Sequence, residues 1–263
     1  MLRCARESDK NDIKRLWQSS FGDSEAYIDF YLDHKYDPNK TVLLEVDNMV
    51  IGMAHFLPCM LMPKQKALYW YAVCIDEKMR NKGYFRHLVT EVLKETKRRG
   101  FVNLCVPAPG LEGVYQKMGF HNSYLAEDIA FVRENSNFPS NKTSFFKANP
   151  EDFINLFGEE GSTVWSLDAI HYAFEENEYT GGKQIKFQFE GKTYFAFAIN
   201  KENHYLIDYH NISQNVFEKI KYDLFTELNC EKILFRAPGE GKIIGLSDSD
   251  SVNLNSRITL TLG

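Results

Sequence analysis

The chain has 263 residues, 44% hydrophobic and 25% charged, with a formal net charge of −5: globular values, long enough for one large domain or two ordinary ones, and without the basic stripe of a nucleic-acid binder. The longest apolar run, Met49–Met62, holds His55 and Pro58 and falls short of the roughly 20 residues a membrane-spanning helix needs. The start, MLRCARESDKND, has no apolar signal core, and five scattered cysteines without a C-x-x-C pair predict reduced thiols, no structural zinc and a cytoplasmic protein.

Ser8 is the expected N-cap of a first helix carrying Ile13, Leu16 and Trp17, with Gly22 beyond its end. SEAYIDFYLDHKY predicts a second helix. TVLLEV predicts a strand, Asp47-Asn48 a tight turn, and Met49–Met62 a longer return strand interrupted at Pro58. Lys66–Ile75 is a third strand, rich in aromatic and branched residues. A long amphipathic helix follows, with Phe85, Leu88, Val89, Val92 and Leu93 on one stripe and Gly100 as its left-handed stop. FVNLCV predicts a buried strand, GLEGVYQKMGF a short helix ending at Gly119, and HNSYLAEDIAFVRE a further strand.

NSNFPSNKTS, residues 135–144, is polar and aperiodic and reads as a linker. It divides the chain into domains 1–134 and 145–263. In the second, NPEDFINLFGEE and TVWSLDAIHYAFEENE predict helices. KQIKFQFEGKTYFAFAINKENHYLIDYH predicts three strands, QNVFEKIKYDLFTELN a helix, and KILFRA and RITLTLG strands; the intervening RAPGEGKIIG reads as a turn. Both halves run helices, antiparallel strands, helix, strand, an order that suggests an internal duplication.

The long helix of the first half has an unusual entrance. Arg80-Asn81-Lys82-Gly83-Tyr84-Phe85 contains no acid, although a first turn has unpaired N–H groups and a positive dipole end. A strand–loop–helix junction of this kind can point backbone N–H groups at an anion, and Gly83 admits close approach. It is neither a P-loop nor a G-x-G-x-x-G fingerprint. A solvated basic turn is the alternative. Further on stands Tyr115-Gln116-Lys117-Met118-Gly119-Phe120.

RNKGYF followed by YQKMGF, with a strand before the first and a helix and strand between them, resembles the GNAT superfamily of N-acetyltransferases. Its members carry a Q/R-x-x-G-x-G/A loop and then Y-x-x-x-G-F. The resemblance covers Leu2 to Phe131. Phe85 departs from it, standing where a small residue is usual. So does Glu77, where a proline is common. VPAPGLEGVY lacks the usual asparagine and is more similar to the enhanced-intracellular-survival (Eis-like) branch, whose members add a second, degenerate domain; that branch's sterol-carrier-like domain has no room here.

The resemblance implies an α+β (mixed α/β) fold: a central, mostly antiparallel sheet flanked by helices, followed by a degenerate GNAT-like domain. It implies acetyl-CoA as co-substrate, no metal, and a small-molecule or peptide amine as acceptor, attacked directly. The loop Arg80, Asn81, Lys82, Gly83, Tyr84 and Phe85 would hold the pyrophosphate. Val73, Cys74 and Ile75 would pair with the pantetheine arm and aim an N–H at the thioester oxygen. Tyr115 would protonate the departing thiolate. For a base, Asp76, Glu112 and Glu45 remain open, as does a water chain. His55, His87 and His121 receive no role. Tyr69, Trp70, Tyr71 and Trp165 are either pocket walls or packing. The second domain has no matching loop at Gln214-Asn215, which predicts one coenzyme per chain. Two other functions fit the pattern: a non-catalytic acyl-CoA-binding module, and an aminoacyl transferase of tandem type, which would call for a basic tRNA surface.

Overall fold

The computed structural model describes residues 1–134, 143–154, 156, 162–239, 241–249 and 252. Two units divide the chain. The first holds Met1–Met60, Lys64–His121 and residues 246–249; the second holds Leu61–Pro63 and Asn122–Gly245. The predicted linker falls almost wholly on residues 135–142, which lie outside the described residues, as does the predicted strand at 257–263.

The first unit begins with β1 (Leu2–Cys4), α1 (Lys10–Phe21) and α2 (Glu25–His34). Ser8 is not the cap of α1. Residues Glu7–Asp9 form a 3-10 turn, and Asp9 stands at the cap position. Its carboxylate is taken by Arg3 at 2.7 Å and by the Arg6 N–H. Gly22, in the left-handed conformation at φ 75°, ends the helix. β2 (Thr41–Val46) and β3 (Met49–Leu61) form a hairpin through Asp47 and Asn48, at φ 49° and 59°. Two positive angles in succession match the twist of the strands. β3 continues through Pro58 without a break; the proline is exposed there.

β4 (Gln65–Ile75) leads through a loop to α3 (Tyr84–Arg98), which returns to β5 (Val102–Cys105), and α4 (Glu112–Gln116) follows. The apolar stripe of α3 is buried at Leu88, Val89, Val92 and Leu93. β5 is parallel to β4, from Ala67 opposite Val102 to Trp70 opposite Cys105. All four β5 residues are buried. The sheet of this unit therefore runs β1–β2–β3–β4–β5.

The second unit comprises β6 (His121–Val132), β7 (Ser144–Phe146), β8 (Thr163–Trp165), α5 (Leu167–Tyr179), β9 (Lys183–Phe189), β10 (Lys192–Lys201), β11 (His204–Asp208), α6 (Gln214–Leu228), β12 (Lys232–Pro238) and β13 (Lys242–Ser247). Of the first predicted helix there, Pro150–Phe153 is a 3-10 turn, and residues 155 and 157–160 lie outside the described residues; of the second, Thr163–Trp165 is a strand ahead of α5. KIIGLS, read as a turn, is β13. Its last residues belong to the first unit, where Leu246 lies opposite Cys105 and Ser247 opposite Leu104.

β11 and β12 are parallel, joined through α6 as β4 and β5 are joined through α3. Each unit thus holds one strand–helix–strand crossover within an otherwise antiparallel frame, in keeping with the predicted mixed fold. Phe187, Ile207, Phe217, Ile220, Leu224 and Phe235 form the core beneath α6.

Candidate functional site

The two parallel strands of the first unit part company. Their pairing stops at Trp70 and Cys105. Two residues later Ala72 takes φ 48°, a left-handed angle inside a strand that costs a non-glycine residue of order 1–3 kcal/mol. On the other side the chain continues into Pro107 and Pro109, which have no N–H to give a ladder. Val73, Cys74 and Ile75 are left along one wall of an opening.

A cavity of about 630 Å3 occupies it. Val73–Ile75 form its strand wall, Arg80, Asn81 and Gly83 its loop end, and Phe85 and Arg86 its helix side. Ala108, Leu111, Val114, Lys117 and Met118 close it from the other side, with Ser20 and Phe21 of α1. Three cations line this space and no carboxylate does, in a chain of net charge −5. Phe21, Leu111 and Val114 expose about 40% of their surface there, apolar area that a ligand would cover.

The loop combines cations with an uncapped helix start. Asp76 caps the turn Glu77–Met79 by accepting from Lys78 N–H at 3.0 Å. Arg80 folds back, its Nε donating to Ile75 O at 3.2 Å and its Nη2 to Ser20 Oγ at 3.4 Å. Asn81 and Gly83 have φ 61° and 83°, and left-handed residues alternating with ordinary ones make successive N–H groups converge. α3 starts at Gly83 with no side-chain cap and no acid in its first turn. By contrast α2, α5 and α6 are capped by Ser24, Ser166 and Ser213. A Cβ on Gly83 would meet no atom of the chain within 4 Å.

Of the residues singled out in the sequence, Val73, Cys74, Ile75, Arg80, Asn81, Gly83 and Phe85 line the cavity; Lys82, Tyr84 and Tyr115 do not. Lys82 is exposed and reaches Met79 Sδ at 3.7 Å. Tyr115 is buried, edge-on to Phe85 and to Phe120. Burial, and then the neighbouring Cys105, Tyr69 and Cys74, push its pKa well above the ordinary tyrosine value. Burial also pushes the Cys74 thiol up to about 11.

Two of the three carboxylates left open as bases are engaged. Arg15 holds Asp76 at 2.6 Å and Arg3 holds Glu45 at 2.8 Å. Burial would raise the pKa of Asp76, but the Lys78 N–H and Arg15 outweigh it and leave it lowered, which disfavours proton uptake. Trp70 is core, edge-on to Phe56 and Phe120. Tyr69, Tyr71 and Trp165 are buried too. His87 and His121 are exposed, while His55 is fully buried.

The far wall escaped sequence reading. Leu111, Val114 and Met118 recur at i, i+3 and i+7 across α4 and its flanks, at a helical spacing that is readable in the sequence. Among the described residues no cluster of His, Cys, Asp or Glu could hold a metal, and no helix is long and apolar enough to cross a membrane.

Residues 10–120 match the model of the acetyltransferase (GNAT) family. Over those residues the chain is similar to a GNAT acetyltransferase domain. The match spans α1 to the end of the Tyr115 motif, and so contains the whole cavity wall. No curated protein sequence matches. Among solved structures, the fold is similar to a probable N-acyltransferase from Enterococcus faecalis (TM-score 0.71, 9% identity, 94% of this chain and 72% of that one). It is also similar to a GCN5-related N-acetyltransferase from Kribbella flavida (0.66, 14%, 90% and 63%) and to Eis1 from Mycobacterium abscessus (0.63, 11%, 89% and 65%). These are likenesses of fold, and they extend over both units of the chain. The chain spans roughly two thirds of those proteins' lengths.

Proposed function

We propose that the first unit binds acetyl-CoA in the cavity between β4 and α4 and transfers the acetyl group to a primary amine of a small molecule or peptide. One observation carries the reading: the cavity is cationic and uncapped at its loop end and apolar along its length. Those are the needs of a ligand with phosphates at one end and a pantetheine arm behind them.

Val73–Ile75 lie beyond the last rung between β4 and β5, and apart from Ile75 O, which accepts from Arg80, their backbone groups on that side would be available to the arm. One N–H there would stabilise the charge developing on the thioester oxygen. The amine nitrogen forms a bond to the carbonyl carbon, the carbon–sulfur bond breaks, and the sulfur leaves with the electron pair. Tyr115, protonated over the whole working pH range because burial raises its pKa, would supply a proton to that thiolate. With Asp76 and Glu45 already paired, the acceptor ammonium would lose a proton to water or to Glu112 before its nitrogen attacks, and the further proton that nitrogen sheds as the amide forms would restore the Tyr115 hydroxyl. Release of free thiol from acetyl-CoA across an amine panel tests transfer, and calorimetric titration with coenzyme A tests binding. Binding without thiol release on any amine would leave a binding module. Absence of both would remove the cavity assignment.

A further inference from the structure

Asp248 lies 145 residues beyond Asn103, yet the two are bonded three ways. The Asp248 carboxylate accepts from Asn103 N at 2.7 Å and from Asn103 Nδ2 at 2.8 Å, and Asp248 N–H donates to Asn103 O at 3.1 Å. Lys97 Nζ stands 3.4 Å from the same carboxylate, whose side chain is only 2% exposed. On the other side of Asn103, Oδ1 accepts from Trp70 Nε1 at 2.8 Å. Asn103 has no solvent exposure.

This chain of bonds has one possible sense. An indole N–H only donates and a carboxylate only accepts, so the Asn103 amide cannot turn over without losing both partners. Trp70 and its opposite residue, Cys105, form the last rung before β4 and β5 separate. Leu246 and Ser247 pair with β5 on the edge that β4 leaves free. The bonds therefore tie β4, β5 and the returning segment together at the rung where the cavity opens.

We infer that Asp248 is a positioning residue for the acyl-CoA cavity: it holds β5 in register with β4 through Asn103 and Trp70, and so sets the opening that exposes Val73–Ile75. This rests on the reading of that cavity as the coenzyme A site. The acyl-CoA-binding unit is then discontinuous in sequence. Residues 246–248 are part of it, although the family match ends at residue 120.

The test uses the full chain and coenzyme A calorimetry, well below every variant's melting point. Asp248→Asn turns an NH2 group on the Asn103 NH2 group, and Asn103→Asp sets two carboxylates face to face. Each should weaken coenzyme A about tenfold or more, since small displacements of a binding framework have effects of that size. Each should raise the KM for acetyl-CoA more than that for the amine. The double substitution exchanges the groups and restores the sense: the carboxylate at 103 accepts from Trp70 and from the amide at 248, whose oxygen accepts the backbone N–H of 103. It should return affinity to within about threefold of wild type, because the pair is coupled. Should either single variant fail to fold, Trp70→Phe, which keeps an aromatic ring and drops the donor, should still weaken coenzyme A. Unchanged affinity in the folded variants, or a double variant no better than the singles, overturns the inference. A wild type that binds no coenzyme A overturns the reading of the cavity, and the inference with it.

Discussion

The ring of Phe85, the second residue of α3, stands edge-on to the ring of Tyr115, with 5.6 Å between centroids and 89° between planes. The helix that begins at Gly83 is thereby packed directly on the tyrosine that follows β5. A smaller residue at 85, the usual one at this point of the family motif, would leave that ring without its neighbour.

Tyr115→Phe keeps the packing with Phe85 and Phe120 and removes only the hydroxyl. Turnover should fall by about 10²–10⁴, the usual worth of a general acid, while calorimetry finds coenzyme A affinity within about twofold. Equal turnover would leave Tyr115 as packing alone.

Gly83→Val should reduce coenzyme A affinity at least tenfold in a folded protein. The left-handed φ of 83° costs a residue with a side chain roughly 1–2 kcal/mol, and the new Cβ points into space that no other part of the chain fills. The penalty on binding should exceed that on folding. Calorimetry and thermal melting on the same sample compare them, and a larger loss of stability than of affinity would count against the loop.

Lys117→Met should distinguish coenzyme A from its 3′-dephospho form. In the proposed reading the loop end of the cavity holds the pyrophosphate. Lys117, on the opposite wall, is a cation left for a third phosphate group. Exposed charge pairs are worth up to about 1 kcal/mol, so coenzyme A should bind about fivefold more weakly at low salt and the dephospho form unchanged. An equal loss for both ligands would place Lys117 elsewhere along the ligand.

His55 should make the fold sensitive to mild acid. Burial pushes its pKa down to about 3, and its Nδ1 lies 3.3 Å from Tyr31 Oη and 3.1 Å from Thr41 Oγ1. In the unfolded chain it binds a proton near pH 6.5. Its neutral, folded form is fully favoured above pH 6.5, and that stability is lost as the pH falls towards 3, by up to about 1.4 kcal/mol per pH unit. Denaturant melts of His55→Gln from pH 7 to 4 should show a shallower loss than wild type. Parallel curves would assign the acid sensitivity to carboxylates.

One coenzyme A should bind per chain. In the second unit, the end of β11 and β12 is closed where the first unit opens. Arg236 bonds Asp208 at 2.7 Å and Asp128 at 2.8 Å, Lys242 joins Asp128, and His210 Nε2 pairs with Arg236 O at 2.7 Å. Ser213 already caps α6. A titration with two equivalent sites would contradict this.

Local signals carried most of the first unit. Gly22, Gly100 and Gly119 have the positive φ of residues that stop a helix, Gly83 has it at a helix entrance, and Asp47-Asn48 makes the turn its residues favour. What stayed hidden was decided by distant partners. KIIGLS looks like the tail of a glycine-rich turn because the strand it completes lies some 140 residues earlier. Pro58 looks like a break, yet β3 continues through it because an exposed proline interrupts no buried bond. Asp248 carries no motif, and its importance is visible only once Asn103 is beside it. Lys82 and Tyr84 were drawn in by adjacency: the loop turns at Asn81 and Gly83, which sends its neighbours outward.

The return of residues 246–248 to β5 also bears on how the protein is made. At roughly 5–20 residues per second, the 145 residues from Asn103 to Asp248 take the ribosome about 7–30 seconds. For all of that time one edge of β5 has no partner, on a nascent chain whose β1–β4 can already have formed. An unpaired edge of apolar strand is what chaperones hold and what neighbouring chains pair with. The first unit, first to be translated, is thus among the last to be finished, and truncation far downstream of residue 120 would strike it before it touched the second unit's own core.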